Sequence, residues 1–171
     1  MIVREVRPSD FERVFECYLS FYDELEHDPA LAVAILSSGP TVSHELEWFA
    51  GAYRRFVDRD SVFLVAEADS RIVGYCMVTK VSPGSVMAHR GELSIALRSE
   101  HRGRGVGTAL LGQALHRCRG RFESVELAVL SNNLAARRLY ERFGFKPFGV
   151  RARAVKRGER YFDEDLMALA L

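Results

Sequence analysis

The chain has 171 residues, 48% of them apolar and 27% charged, enough for one compact domain with a sizeable core and too short for two ordinary ones. No apolar run approaches the roughly 20 residues that span a bilayer, and charge is mixed into the first ten residues, unlike a secretion signal. A soluble cytoplasmic chain is therefore expected, and the net charge of +1 argues against non-specific binding of nucleic acid.

In chain order, Ser9 or Asp10 can cap a helix running to about Leu19, because Phe11, Val14, Phe15, Tyr18 and Leu19 recur at helical spacing. From Tyr22 to Pro40 an acidic patch (Asp23, Glu24, Glu26, Asp28) precedes Pro29, an apolar run and a turn signal, so this stretch is expected to be helical only in part. A second main helix is predicted over about 43 to 57, with Leu46, Phe49, Ala50, Tyr53 and Phe56 on its apolar face. Strands follow at 62 to 68 and 71 to 80, joined by Asp69-Ser70 as in a hairpin. A third strand, 91 to 97, feeds a glycine-rich turn and a helix from Val106 to about Arg119. The strand at 124 to 130 leads through a Ser-Asn-Asn cap to a helix over about Leu134 to Arg142, which stops at Gly144. Segments 148 to 155 and 160 to 169 read as a closing hairpin. The expected fold is a single α/β domain over 1–171, a central mixed sheet with one parallel crossover pair, flanked by helices.

Cys17, Cys76 and Cys118 are widely spaced with no paired histidines, so they read as buried core residues and no metal site is expected. Charge is uneven along the chain. Six arginines (98, 102, 104, 117, 119, 121) stand between 98 and 121 against the single acid Glu100, an excess that calls for an anionic partner.

The turn Arg102-Gly103-Arg104-Gly105-Val106-Gly107-Thr108 follows a strand and opens a helix. Amides in such a turn, and in the first helical turn, have no internal partners and form a positive cradle for phosphate. Glycine lets an anion approach the backbone closely, and Arg102 and Arg104 add charge. No lysine occurs between Lys80 and Lys146, which excludes a P-loop, and the GxGxG spacing does not fit a dinucleotide fingerprint.

That run, with Thr108-Ala109-Leu110-Leu111 after it, resembles the pyrophosphate motif of the GNAT superfamily of N-acetyltransferases. Downstream, the run from Asn133 through Ala136, Tyr140 and Glu141 to Gly144-Phe145 is similar to that family's NxxAxxxYExxGF segment. The resemblance implies the GNAT-type acyl-CoA N-acyltransferase fold, with acetyl-CoA as cosubstrate and no metal. It implies that Ile95, Ala96 and Leu97 bond the pantetheine arm in an opening of the sheet, and that amides from Arg102 to Thr108 hold the pyrophosphate. Asn133 and Ala136 belong by the same resemblance to the cofactor site, and Tyr140 is the general acid that protonates the departing thiolate.

The chemistry asks for such a phenol, and also for a group that takes the proton of an amine that is charged at neutral pH. Glu92, at the start of the strand feeding the site, is the candidate base, with a solvated strand-end charge as its other reading. His89 and His101 read as loop residues, and Glu126 as a strand-face charge. The ribosomal-protein N-terminal acetyltransferases of the family carry a glutamate where this chain has Ala128, a departure from that subgroup. The acceptor is expected to be a primary amine of a protein or peptide, an N-terminus or a lysine. A polyamine or other small amine, a non-catalytic acyl-CoA-binding module and a nucleic-acid-binding domain are the alternatives, and the family admits a homodimer.

Overall fold

The computed structural model describes residues 1–28, 31 and 41–171. Strand β1 (Ile2–Glu5) opens the chain; α1 (Phe11–His27) and α2 (Val42–Val57) follow, then β2 (Ser61–Ala68), β3 (Arg71–Lys80) and β4 (Arg90–Leu97). After the glycine turn come α3 (Val106–Cys118), β5 (Ser124–Leu130), α4 (Leu134–Arg142) and the hairpin β6 (Lys146–Arg157) and β7 (Arg160–Ala170). Among the described residues the strands form one seven-stranded sheet in the order β1-β2-β3-β4-β5-β7-β6. Only β4 and β5 pair in parallel. This is the mixed α/β sheet that the sequence predicts.

Two elements differ from expectation. Helix α1 runs eight residues beyond Leu19, because Phe21, Tyr22 and Leu25 continue its apolar stripe and the Asp28 amide closes the last turn on Glu24 O. Residues 29–30 and 32–40 of the stretch expected to be helical in part lie outside the described residues. Strand β1 has no sequence signature: Ile2 and Val3 stand next to Arg4 and Glu5, too few residues to alternate, and only pairing with β2 makes them a strand.

The start of α1 is fixed by ion pairs more than by a side-chain cap. Asp10 is fully buried and accepts hydrogen bonds from Arg4 (2.7 and 2.9 Å), from the Arg7 amide (2.8 Å) and from Arg13. Glu67 on β2 shares both arginines, binding Arg4 at 2.7 Å and Arg13 at 3.0 Å. In α2, Thr41 caps the helix by accepting from the His44 amide.

Strands β2 and β3 are buried on both faces, which explains their near-continuous apolar sequence. One face carries Val62, Leu64, Val78, Leu93, Val125 and Met167 under Leu110, Leu111 and Ala114 of α3. The other carries Phe63, Val65, Tyr75 and Met77 under Val14, Cys17 and Phe21 of α1 and Phe49 of α2. Cys17, Cys76 and Cys118 are all buried and unpaired.

The sheet is interrupted at its centre. Strand β4 pairs with β3 from Gly91 to Leu97, but with β5 only at Arg90, Gly91 and Glu92, opposite Ser124, Val125 and Glu126. β5 meanwhile pairs with β7 over its whole length. From Leu93 onward β4 and β5 diverge into a fork whose base is clamped by Arg90 Nη2 on Glu126 Oε1 at 2.6 Å.

Candidate active site

Three sequence-predicted segments meet at this fork. Ile95, Ala96 and Leu97 lie on the unpaired half of β4, where backbone groups facing β5 have no ladder partner. The glycine turn comes next. Gly103 and Gly105 adopt positive φ (69° and 82°), and a Cβ at either would meet nothing within 4 Å, so the turn opens onto free space. The first backbone bond of α3 joins the Ala109 amide to Gly105 O, which leaves the amides of Val106, Gly107 and Thr108 directed out of the helix N-terminus. A Cβ on Gly107 would lie 3.2 Å from Leu97 and 3.3 Å from Leu139 side-chain atoms, so Gly107 seats the turn against the end of β4 and against α4.

The arginines divide sharply. Arg102 donates from Nε to Leu97 O (3.0 Å) and from both terminal nitrogens to Glu24 of α1 (2.7 and 2.9 Å), and its amide donates to Ser99 O. It braces the turn against α1, so the amides left open for an anion run from Gly103 to Thr108. Arg98 is buried on Ile72 O, Arg121 bonds Arg59 O and Ser61 O, and Arg117 reaches Gln113 and Glu5. Among the described residues Arg102 and Arg117 thus meet carboxylates, while Arg98 and Arg121 meet neutral carbonyl oxygens, so an excess of positive charge remains. Arg104 is exposed beside the turn and makes no ion pair among the described residues.

Tyr140 is buried against Phe145, with ring centroids 5.8 Å apart, on the sheet face that α3 covers. Burial above all, and then the nearby Cys76 thiol, hold its phenol well above its ordinary value, so it carries its proton at neutral pH. Asn133 Oδ1 accepts from the Ala136 amide at 3.1 Å and caps α4, which sets where Tyr140 points. Glu92 stands at the last rung before the fork and is exposed on the α1/α2 side of the sheet. Ser94 and Ala96 share that side by strand alternation, whereas Leu93 faces α3. No group of three or more metal-ligating side chains occurs among the described residues, and none of their helices is long and apolar enough to cross a membrane.

One residue at the site, and one on α2, carry weak sequence signals. Glu24 reads as one of several helix acids until Arg102 is found beside it. Glu45 lies on the stripe Glu45, Phe49, Ala52 that α2 buries. The predicted stripe through Leu46 and Ala50 is rotated by one residue, and both of those are exposed.

The sequence model of the Acetyltransferase (GNAT) family matches residues 12–145, well over half of the chain. The chain belongs to the GNAT family. Among its GNAT relatives, an N-acetyltransferase from Streptomyces griseus is 28% identical over 72% of this chain and 65% of its own length. The L-amino acid N-acetyltransferase AaaT of Escherichia coli (strain K12) is 29% identical over 67% of this chain and 72% of its own. The chain spans less than two thirds of the Streptomyces griseus relative, and 56% of a Bacillus subtilis one. The GNAT fold extends over almost the whole chain: a phosphinothricin acetyltransferase from Sinorhizobium meliloti, solved in complex with AcCoA, superposes with a TM-score of 0.83. It is 20% identical, covering 99% of this chain and 88% of that one.

Proposed function

We propose that this chain transfers an acetyl group from acetyl-CoA to a primary amine of a protein or peptide. The observation that carries the reading is the unpaired edge of β4 beside an amide-lined helix N-terminus, with the phenol-bearing Tyr140 in the apolar cluster against which Ile95 and Leu97 pack. The residues fit the cosubstrate. Open amides from Gly103 to Thr108, with Arg104 beside them, suit a pyrophosphate, and the free edge from Leu93 to Leu97 suits an amide-bearing arm. The relatives from Streptomyces griseus and Escherichia coli are named as N-acetyltransferases, the second of L-amino acids, which supports N-acetyl transfer as the reaction.

When bound, acetyl-CoA supplies a thioester whose carbonyl carbon is open to attack by nitrogen. The chain supplies the rest. Ile95, Ala96 and Leu97 orient the arm through their backbone groups. Tyr140 holds its proton at neutral pH and gives it to the departing sulfur. Glu92, at the mouth on the opposite face, accepts the proton that the attacking nitrogen loses, directly or through one water. The two proton transfers thus take place on opposite sides of the sheet, one for the acceptor and one for the leaving group. Exposed carboxylates on the acceptor side, at Glu92 on β4 and at Asp23 and Glu26 on α1, favour the approach of a cationic amine.

The test is thiol release from acetyl-CoA with a panel of N-terminal peptides, lysine peptides, polyamines and free amino acids. Release that depends on a peptide amine supports the proposal. Tight acetyl-CoA binding without transfer to any amine would turn the reading to a non-catalytic binding module, and absence of binding would sink it.

A further inference from the structure

The acid run Asp163-Glu164-Asp165 of β7 is divided by the structure. Asp163 Oδ1 accepts from the Arg153 amide of β6 at 2.7 Å, and Glu164 accepts from Arg151 of the same strand at 2.7 Å. Asp165 reaches out of the hairpin altogether. It is only 8% exposed; its Oδ1 accepts from Ser131 Oγ at 2.9 Å and its Oδ2 from Arg137 Nη1 at 3.0 Å. Ser131 belongs to the junction between β5 and α4, and Arg137 lies inside α4. The same junction is tied to β7 a second time, by the Ser131 amide on Asp163 O at 2.9 Å. A carboxylate is costly to bury even when it is paired, and the transfer chemistry makes no use of this one.

Asp165 faces the side of the sheet on which α4 lies. By strand alternation it shares a face with Met167, and Met167 and Tyr140 belong to the same core cluster under α3. Helix α4 has nine residues, three of them arginine, so the apolar surface that seats it is small, with Ala136, Leu139 and Tyr140 as its main contacts. Apolar contact is non-directional and lets so short a helix slide or turn on the surface it covers. Hydrogen bonds to a buried charge are directional and resist both. Those of Asp165 fall on either side of the Asn133 cap, at Ser131 before it and at Arg137 after it, where the Arg137 amide also donates to Asn133 O at 3.0 Å. Arg137 Nε reaches Glu141 at 3.3 Å, and Tyr140 stands between those two residues in the chain.

Tyr140 has need of such support. Its phenol makes no hydrogen bond among the described residues and its ring rests on Phe145, so the hydroxyl takes its place from the helix that carries it. A misplacement of about 1 Å in a group that must meet a reacting atom can cost on the order of 100-fold in rate. We infer that Asp165, through Ser131 and Arg137, is a positioning residue that fixes the pose of α4 and with it the place of the Tyr140 hydroxyl. The inference rests on the acetyl-transfer reading for the role of Tyr140 as the acid; the link from Asp165 to Tyr140 through α4 does not.

Asp165→Asn keeps the shape of the side chain and removes the charge that holds Arg137. Arg137→Met breaks the same link from its more exposed end, and circular dichroism checks that each variant is folded. In the chain labelled with 3-fluorotyrosine and free of ligand, the fluorine resonance of Tyr140 is assigned by its loss in Tyr140→Phe. It should move or split in both variants, while those of Tyr18, Tyr22, Tyr53 and Tyr75, which belong to the α1/α2 side, stay in place. In turnover with a peptide amine, Asp165→Asn should lower kcat about tenfold when Tyr140 is present and less than about twofold in a Tyr140→Phe chain, since without the phenol there is nothing left to position. A merely structural loss would lower kcat by the same factor in both backgrounds. That result overturns the inference, and so does a Tyr140 resonance that ignores both variants. If the resonance responds while the unaltered chain acetylates no amine, the link stands and the transferase reading falls. If amines are acetylated and Asp165→Asn turns over as fast as the unaltered chain, the positioning role alone falls.

Discussion

The brace between Arg102 and Glu24 lends itself to a quantitative test because its geometry is complete. Glu24 takes both terminal nitrogens of Arg102, at 2.7 and 2.9 Å, while Nε holds Leu97 O at 3.0 Å. Side-chain exposure is 36% for Arg102 and 18% for Glu24, so the pair lies between an open surface bridge and a buried one. Exposed pairs contribute up to about 1 kcal/mol and charge-assisted bonds up to about 3, which places the coupling here near 1.5 kcal/mol. Losing the bond to Leu97 O adds about 1 kcal/mol to the Arg102 variant alone. In urea unfolding, Arg102→Met should therefore cost about 2.5 kcal/mol, Glu24→Gln about 1.5, and the double variant about 2.5 rather than the sum of 4. Additive single effects, with a coupling below about 0.3 kcal/mol, would refute the brace. Arg102→Met, set beside a variant of Arg104, tests which arginine meets the pyrophosphate. Arg104→Gln should weaken acetyl-CoA and flatten the salt dependence of its binding, whereas Arg102→Met should leave that dependence intact.

Tyr140→Phe should lower kcat by at least tenfold, about 1.4 kcal/mol, with a stability change within about 0.5 kcal/mol because the phenol makes no hydrogen bond among the described residues and the ring contact with Phe145 is kept; thermal melts and thiol release check the two arms. Gly74→Ala places a Cβ 2.3 Å from a Leu97 methyl and 2.7 Å from Ala96 O, so it should cost about 1 to 3 kcal/mol and raise KM for acetyl-CoA by displacing the free half of β4. At Asp10, burial alone pushes the carboxyl up, but hydrogen bonds from Arg4 and the Arg7 amide outweigh it and hold the group below the usual carboxylate range. A depressed folded value means that this contribution is complete above the unfolded value near 4 and is lost as pH falls through the folded one. Asp10→Asn should then be less stable by about 2 kcal/mol at pH 7, with the gap from wild type closing in urea unfolding below about pH 4.

The glycine turn, the asparagine cap of α4 and the closing hairpin are legible in the sequence because each depends on local chemistry: turn residues, a capping side chain, a two-residue period. Tyr140 is legible through its surrounding motif alone, since nothing local distinguishes a catalytic phenol from a core aromatic. The internal partners of the arginine-rich stretch are not legible, because Ile72 O, Glu24 and Ser61 O are 26, 78 and 60 positions away from their arginines. Strand β1 escapes notice for the same reason in reverse: its four residues have no pattern until β2 supplies one. The stripe of α2 is displaced by one residue because helical spacing admits Leu46 or Glu45 about equally, and propensity favours the leucine where packing takes the acid.

The three rungs that join β4 to β5 have a mechanical consequence. Seven pairs tie β4 to β3 and seven tie β5 to β7, but only three cross the middle. Sheets ordinarily fray from their outer strands inward. Here the line with fewest rungs runs through the centre beside the Arg90–Glu126 pair, so the apolar cluster under α3, which spans both sides of it, has to hold the two halves of the sheet together.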